Sequence, residues 1–264
     1  MHIDTFQNID ITSPSIVALL IIAGFMVGFI NTIAGSGTVL TYSLFMFLGL
    51  PVSTANGTIR LGVIMQTLTA TLSFKRKKVL DIKKGFLIAI PVVIGSILGA
   101  QIAITIDNSI FKIVLAFIMI SMIVFIFRSP QKWLKSQSEK VMAKPTALQY
   151  LIFFFIGLYG GFIHIGVGIF ILSALVLNAG YDLVRANALK VMIVFLYSPF
   201  ALSIFIYNND VHFGIGLISA IGNIAGALVA SKYAVDWGAN FLRWFLIVVI
   251  ILFSSYLIYS SFIG

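Results

Sequence analysis

The sequence predicts an all-α polytopic membrane protein built as two inverted repeats, each a broken-helix hairpin followed by three transmembrane helices. Three observations carry that prediction. The chain of 264 residues is 60% hydrophobic and only 9% charged, and with a mean hydropathy of +1.11 it is composed for hydrocarbon rather than water. Two of its apolar runs are far longer than the roughly 20 residues that one crossing needs, and each carries glycines near its middle. Three short patches recur in the same order in the two halves.

The first run, residues 15–50, follows a segment with no basic residue and no small-residue cleavage site, so it is expected to be a retained span rather than a signal peptide. Its centre reads NTIAGSGT. Glycine weakens a helix, and in so long a run it marks a bend or an unwound point, so 15–50 is read as a hairpin that returns to its starting side. Spans at 54–74, 85–106 and 109–127 follow. Residues 148–177, with GLYGGFIHIGVG at the centre, form the second long run and the second hairpin, followed by spans at 184–207, 211–230 and 241–262. Repeat 1 thus covers about 15–127 and repeat 2 about 148–262, joined by a basic loop at 128–147. The polar stretch 128–144 is too short to bury its own core, so 1–264 is a single membrane domain.

The repeats are legible in the letters. GFINTIAGSG at 28–37 aligns with GLYGGFIHIG at 157–166, VSTAN at 52–56 with LVRAN at 183–187, and GSILGAQIA at 95–103 with GNIAGALVA at 222–230. A hairpin plus three crossings gives each half an odd number of crossings, so the halves sit upside down relative to one another. Charge agrees: of the 17 basic residues, six fall in 75–84 and five in 128–144, the bias of cytoplasmic loops. Both termini are then expected outside, in a multi-pass protein of the cytoplasmic membrane. The net charge of +9 reports this orientation and not nucleic acid, because the basic residues lack a polar, aromatic-studded surface.

Backbone that leaves the helix at membrane depth is tolerated only where it is buried in protein or lines a cavity. A half-helix starting there presents free N–H groups and its positive dipole end. The first break offers Asn31, Thr32, Gly35, Ser36, Gly37 and Thr38, and the second offers His164, Gly166 and Gly168; the natural guest is a small anion. Gly35, Gly37, Gly166 and Gly168 are read as lining that site, whereas Gly95, Gly99, Gly222 and Gly226, at spacing four, are read as helix packing. Asn56 and Asn187 stand at matching positions after the hairpins, as helix caps or as site residues. Arg60 lies inside an apolar span, either as a site residue or snorkelling outward. Arg185 and Lys190 are read as interface anchors. His164 reads as a neutral histidine bonded to a backbone carbonyl, with anion binding or proton carriage as the alternative.

These residues resemble a family. GFINTIAGSGTVL, GLPVSTANG, the second break followed by GYDLVRANALK, and the late small-residue patches are similar to the TauE/SafE family, also called the TSUP or sulfite exporter family, over nearly the whole chain. The resemblance implies a duplicated helical transporter for sulfite, sulfonates such as sulfoacetate, or related anions. The second break departs from the family pattern at Gly160, where an acidic residue is common, and at His164, where a small one is. It is also less polar than the first.

The expected function is therefore secondary transport of a small sulfur oxyanion by alternating access, with one half rocking against the other. The alternatives are a transporter or channel for another small anion or metabolite, and a scaffold subunit whose glycines only pack. All eight acidic residues lie at or near loops or span ends, which argues against a carboxylate relay, cation selectivity and paired-acid hydrolysis. No phosphate-binding glycine loop is present, and no catalytic constellation is assembled. The expected partners are a small anionic substrate, with a proton or sodium ion as candidate coupling ion, and membrane lipid. No cofactor or metal is expected; a homodimer is left open. The chain has no cysteine, so one placed at residue 2 or 264 is expected to react with an impermeant thiol reagent from the outer face only. Reaction only from the cytoplasmic side overturns the orientation.

Overall fold

The computed structural model describes residues 13–106, 110 and 145–236. Eight helical elements fill them: α1 (Pro14–Ile33), α2 (Thr38–Phe47), α3 (Val52–Arg76), α4 (Ile82–Thr105), α5 (Ala147–Phe162), α6 (Val167–Asn178, its last turn a π-helix), α7 (Leu183–Tyr207) and α8 (Phe213–Asp236). There is no strand among the described residues. The expected spans 109–127 and 241–262, the basic loop 128–144 and both termini lie outside the described residues. Starts are written locally. Ser13 caps α1 ahead of Pro14, Asp81 caps α4 and Asp182 caps α7, and Thr146 with Gln149 forms a capping box on α5.

Helices α1, α4, α7 and α8 are long and apolar enough to cross a membrane. This is a multi-pass membrane protein. α3 matches the expected span at 54–74 and is also 25 residues long, but Asn56, Arg60, Gln66 and a basic last turn make it less apolar. It tolerates them because those three side chains are buried. Each expected hairpin is present as two helices around a break, α1–α2 and α5–α6, though the return limbs are short: the ten residues of α2 rise about 15 Å.

Contacts along the helices fix their directions. Gly24 and Gly28 of α1 abut Ser219 and Asn223 of α8, while Gly222 and Gly226 abut Ile21 and Phe25, so both helices advance together. The same arrangement recurs between α4 and α5, where Gly95 and Gly99 meet Phe154 and Leu158, and Gly157 and Gly161 meet Val92 and Ser96. α3 runs with α8, Thr58 accepting from the His212 amide near one end and Lys77 donating to the Lys232 carbonyl near the other. α4 and α7 touch through Gly85, Leu189 and Met192 near their starts. α1, α3 and α8 thus point one way and α4, α5 and α7 the other. In the three pairs α1 and α5, α3 and α7, and α4 and α8 each helix opposes its counterpart in the other half, which is compatible with two inverted repeats.

In hydrocarbon there is no hydrophobic drive between helices, so small residues that let backbones touch supply the adhesion. Large apolar side chains on the outer faces, among them Ile22, Phe86, Ile90, Phe155, Leu217 and Ile221, are exposed and present a surface suited to lipid. A Cβ on Gly99 would sit 1.9 Å from the Leu158 carbonyl oxygen. Gly99→Leu is therefore expected to prise α4 from α5 and cost more than about 3 kcal/mol, read as a lower melting temperature and an aggregated elution profile in detergent.

Candidate functional site

A helix that stops inside a membrane leaves its last four carbonyls without intrahelical partners, and no water is present in hydrocarbon to take them. In α1 these belong to Ile30, Asn31, Thr32 and Ile33. The Ile30 carbonyl accepts from the amides of Ala34 and Gly35. The other three accept from one ammonium: Lys190 of α7 donates to Asn31 and Thr32 at 3.1 Å and to Ile33 at 3.3 Å. The end of α5 is closed by a different set of groups. Tyr159 accepts from the Ile163 amide at 2.7 Å, and Arg60 of α3 donates from Nη1 to Gly160 at 3.2 Å and from Nη2 to Gly161 at 2.6 Å. Asn56 donates to Phe162 at 2.8 Å, and its own Oδ1 accepts from Arg60 at 3.4 Å. Each hairpin tip is thus held by a cation from the other repeat.

These placements bear on one reading left open, for Arg60, and correct one expectation, for Lys190. Arg60 is 0% exposed and Lys190 1%, so Arg60 does not snorkel and Lys190 is no interface anchor. A cation at a helix C-terminus meets the negative end of the dipole. Inserting it costs about 2.5–3.5 kcal/mol at mid-membrane, while each bond from a charged donor returns roughly 1.5–3 kcal/mol, so three such bonds outweigh the cost. Arg185 does sit at a helix start with 66% of its side chain exposed, 3.5 Å from Asp182, as an anchor should.

The two breaks meet. Gly35, at φ +83°, packs its Cα against Gly168, and a Cβ on either would lie 2.5 Å from the other's Cα. Gly37 and Gly166 each precede the first residue of the half-helix that follows, Gly166 in the left-handed conformation at φ 68°. Thr38 donates to the His164 carbonyl at 3.2 Å, which ties the loops together. The His164 ring bonds the Tyr197 hydroxyl at 2.8 Å rather than a backbone carbonyl, and Tyr159 donates to the Ile165 carbonyl at 2.6 Å.

Eleven of the twelve candidate residues therefore lie in or against the two breaks, Asn187 stands one turn before Lys190 on α7, and all the polar ones are buried. Sequence reasoning missed Lys190, Tyr159 and Tyr197 as members of this cluster. For Lys190 the signal was present: an Ala-Asn pair followed within about a turn by a basic residue occurs twice, as Ala55, Asn56 and Arg60 and as Ala186, Asn187 and Lys190. Among the described residues the only ion pair joins Arg185 to Asp182. Among the described residues Arg60 and Lys190 have no carboxylate partner, and the amides and hydroxyls of Asn31, Thr32, Ser36 and Asn187 are buried.

A helical membrane protein whose broken helices meet around buried cations has the architecture of a transporter. The match to the family described as sulfite exporter TauE/SafE runs over residues 20–257, and the chain belongs to that family of membrane transporters. It is similar to a protein named probable membrane transporter protein ORF9 from Sinorhizobium, at 28% identity over 89% of each chain. A probable membrane transporter protein of Haemophilus influenzae is 27% identical over 93% of this chain and 96% of its own. The probable membrane transporter protein YfcA of Escherichia coli is 25% identical over 98% and 95%. No solved structure gave a significant match.

Arg60→Met should leave the Gly160 and Gly161 carbonyls unpaired and cost about 3–5 kcal/mol of stability, measured by thermal unfolding in detergent. Arg60→Lys should recover only part of this, because an ammonium lacks the planar fork that reaches two carbonyls at once.

Proposed function

We propose that the chain is a secondary transporter that carries a small sulfur-containing oxyanion, sulfite or an organosulfonate such as sulfoacetate, across the cytoplasmic membrane by alternating access. The substrate binds near the midplane where the two breaks meet. The observation that carries this reading is the charge imbalance there. Arg60 and Lys190 are buried with no carboxylate partner among the described residues, and the two helix ends they cap supply only about half a negative charge each. The residual field at the breaks is positive. In a low dielectric that field favours an anion and repels a cation.

Amides and hydroxyls around the first break supply donors without adding charge, which suits the spread oxygens of an oxyanion better than a compact halide. The sulfur assignment rests on the family, whose description names sulfite export. The printed names of the relatives specify no substrate. The broken helices favour a carrier that rearranges around a fixed site, and among the described residues no cluster of catalytic groups supports an enzymatic reading.

Reconstituted into liposomes, the protein is expected to take up labelled sulfite or sulfoacetate and to do so faster when the same anion is loaded inside. Trans-stimulation marks a carrier, and uptake without it indicates a channel. Uptake of neither anion above protein-free liposomes overturns the sulfur assignment.

A further inference from the structure

The two breaks are built on one plan but do not leave the same groups free. At α5, three side-chain donors are spent on three carbonyls, two from Arg60 and one from Asn56. At α1, the three protons of the Lys190 ammonium cover Asn31, Thr32 and Ile33 by themselves. Asn187, the counterpart of Asn56, is left over. It is 1% exposed, and neither its Nδ2 nor its Oδ1 has a partner. Nδ2 and Oδ1 of Asn31, the Thr32 hydroxyl and the Ser36 hydroxyl share that condition at exposures of 7% or less.

The second break carries fewer such groups. In the repeat alignment Asn31, Thr32, Ser36 and Thr38 face Gly160, Gly161, Ile165 and Val167. The room beside Gly160 is taken by Tyr197 and Val167, whose atoms would stand 2.9 and 2.7 Å from a Cβ there. Tyr197 is bonded to His164, and Tyr159 to the Ile165 carbonyl. On that side Arg60 Nε and the Ser198 hydroxyl, next to Tyr197 on α7, lack a partner, a shorter set than the six polar atoms of Asn31, Thr32, Ser36 and Asn187.

The leftover groups share a neighbourhood. Asn187 precedes Lys190 by three residues on one helix, a spacing that puts both on one face, and the Lys190 ammonium touches the Asn31 and Thr32 carbonyls. A Cβ on Gly37 would lie 3.2 Å from Asn31 Oδ1, so that amide lies against the loop that carries Ser36. Each unpaired buried polar group costs stability, and several in one place make sense where a ligand completes them.

Resting on the anion-carrier reading above, we infer that the substrate site lies at the first break alone: Asn31, Thr32, Ser36 and Asn187 bind the oxyanion, backed by the charge of Lys190, and the second break is a brace. The internal symmetry of the chain therefore does not extend to its ligand.

The test combines titration calorimetry and thermal unfolding of the purified full chain, with sulfite, sulfoacetate, sulfate, phosphate and acetate as probes against matched chloride. Asn187→Ala and Ser36→Ala are each expected to weaken the best-bound anion by about tenfold or more while leaving the anion-free melting temperature unchanged or raised, because an unpaired polar group is removed. Tyr197→Phe, at the brace, should bind within about twofold of the unsubstituted chain. Asn56→Ala should lower the anion-free melting temperature, since it strips a bond from the Phe162 carbonyl. Unchanged affinity in Asn187→Ala, or a loss in Tyr197→Phe as large as in Asn187→Ala, overturns the one-sided site and leaves the carrier reading standing. Phosphate or acetate bound in preference to sulfur anions, and lost in Asn187→Ala, upholds the site and overturns the sulfur assignment. If no probe binds the unsubstituted chain, both fall.

Discussion

The structure depends on one constraint: a helix that ends inside a bilayer must have its last carbonyls satisfied by protein. Two helices here end at breaks buried in the protein, and the donors come from side chains that would otherwise be prohibitively placed. A buried arginine and a buried lysine are costly in isolation and stabilising at a row of unpaired carbonyls. The same six bonds, three from Lys190, two from Arg60 and one from Asn56, explain why basic residues belong in α3 and α7 and why those helices hold the centre of the bundle.

Each tip is held by the opposite repeat. The α1–α2 hairpin is tied to α7 at its tip and to α8 along its glycines; the α5–α6 hairpin is tied to α3 and α4. Rocking one repeat against the other would strain the six side-chain bonds that cross between them. A motion that keeps α1 with α7 and α8, and α5 with α3 and α4, preserves them. If the chain carries its substrate by alternating access, a body mixing elements of both repeats is the cheaper one to move.

Much of the fold was legible because hydrophobic length and glycine placement are local properties. The runs 15–50 and 148–177 announced their breaks through Gly35, Gly37, Gly166 and Gly168, and the repeat alignment paired the hairpins before any contact was known. The small-residue patches at Gly95, Gly99, Gly222 and Gly226 indicated packing, though not which helices would meet. The pairing of charges with helix ends was not legible. It joins residues more than a hundred positions apart in sequence, Arg60 with Gly161 and Lys190 with Asn31, and the direction a cation points along a helix is set by tertiary packing. Lys190 was misread for that reason: seven residues into α7 it resembles an interface anchor until the tip of α1 is seen against it. The lower polarity of the second break was visible in the letters, but its meaning required Tyr197, which fills the space beside Gly160.

The central claim is that an oxyanion is held at mid-membrane by the first break. An experimental structure determined with selenate, whose selenium can be located by anomalous scattering, tests it most directly. The account predicts one selenium site within hydrogen-bonding reach of Asn31, Ser36 and Asn187. Selenium found only at the basic loops, or beside Tyr197 at the second break, would contradict it.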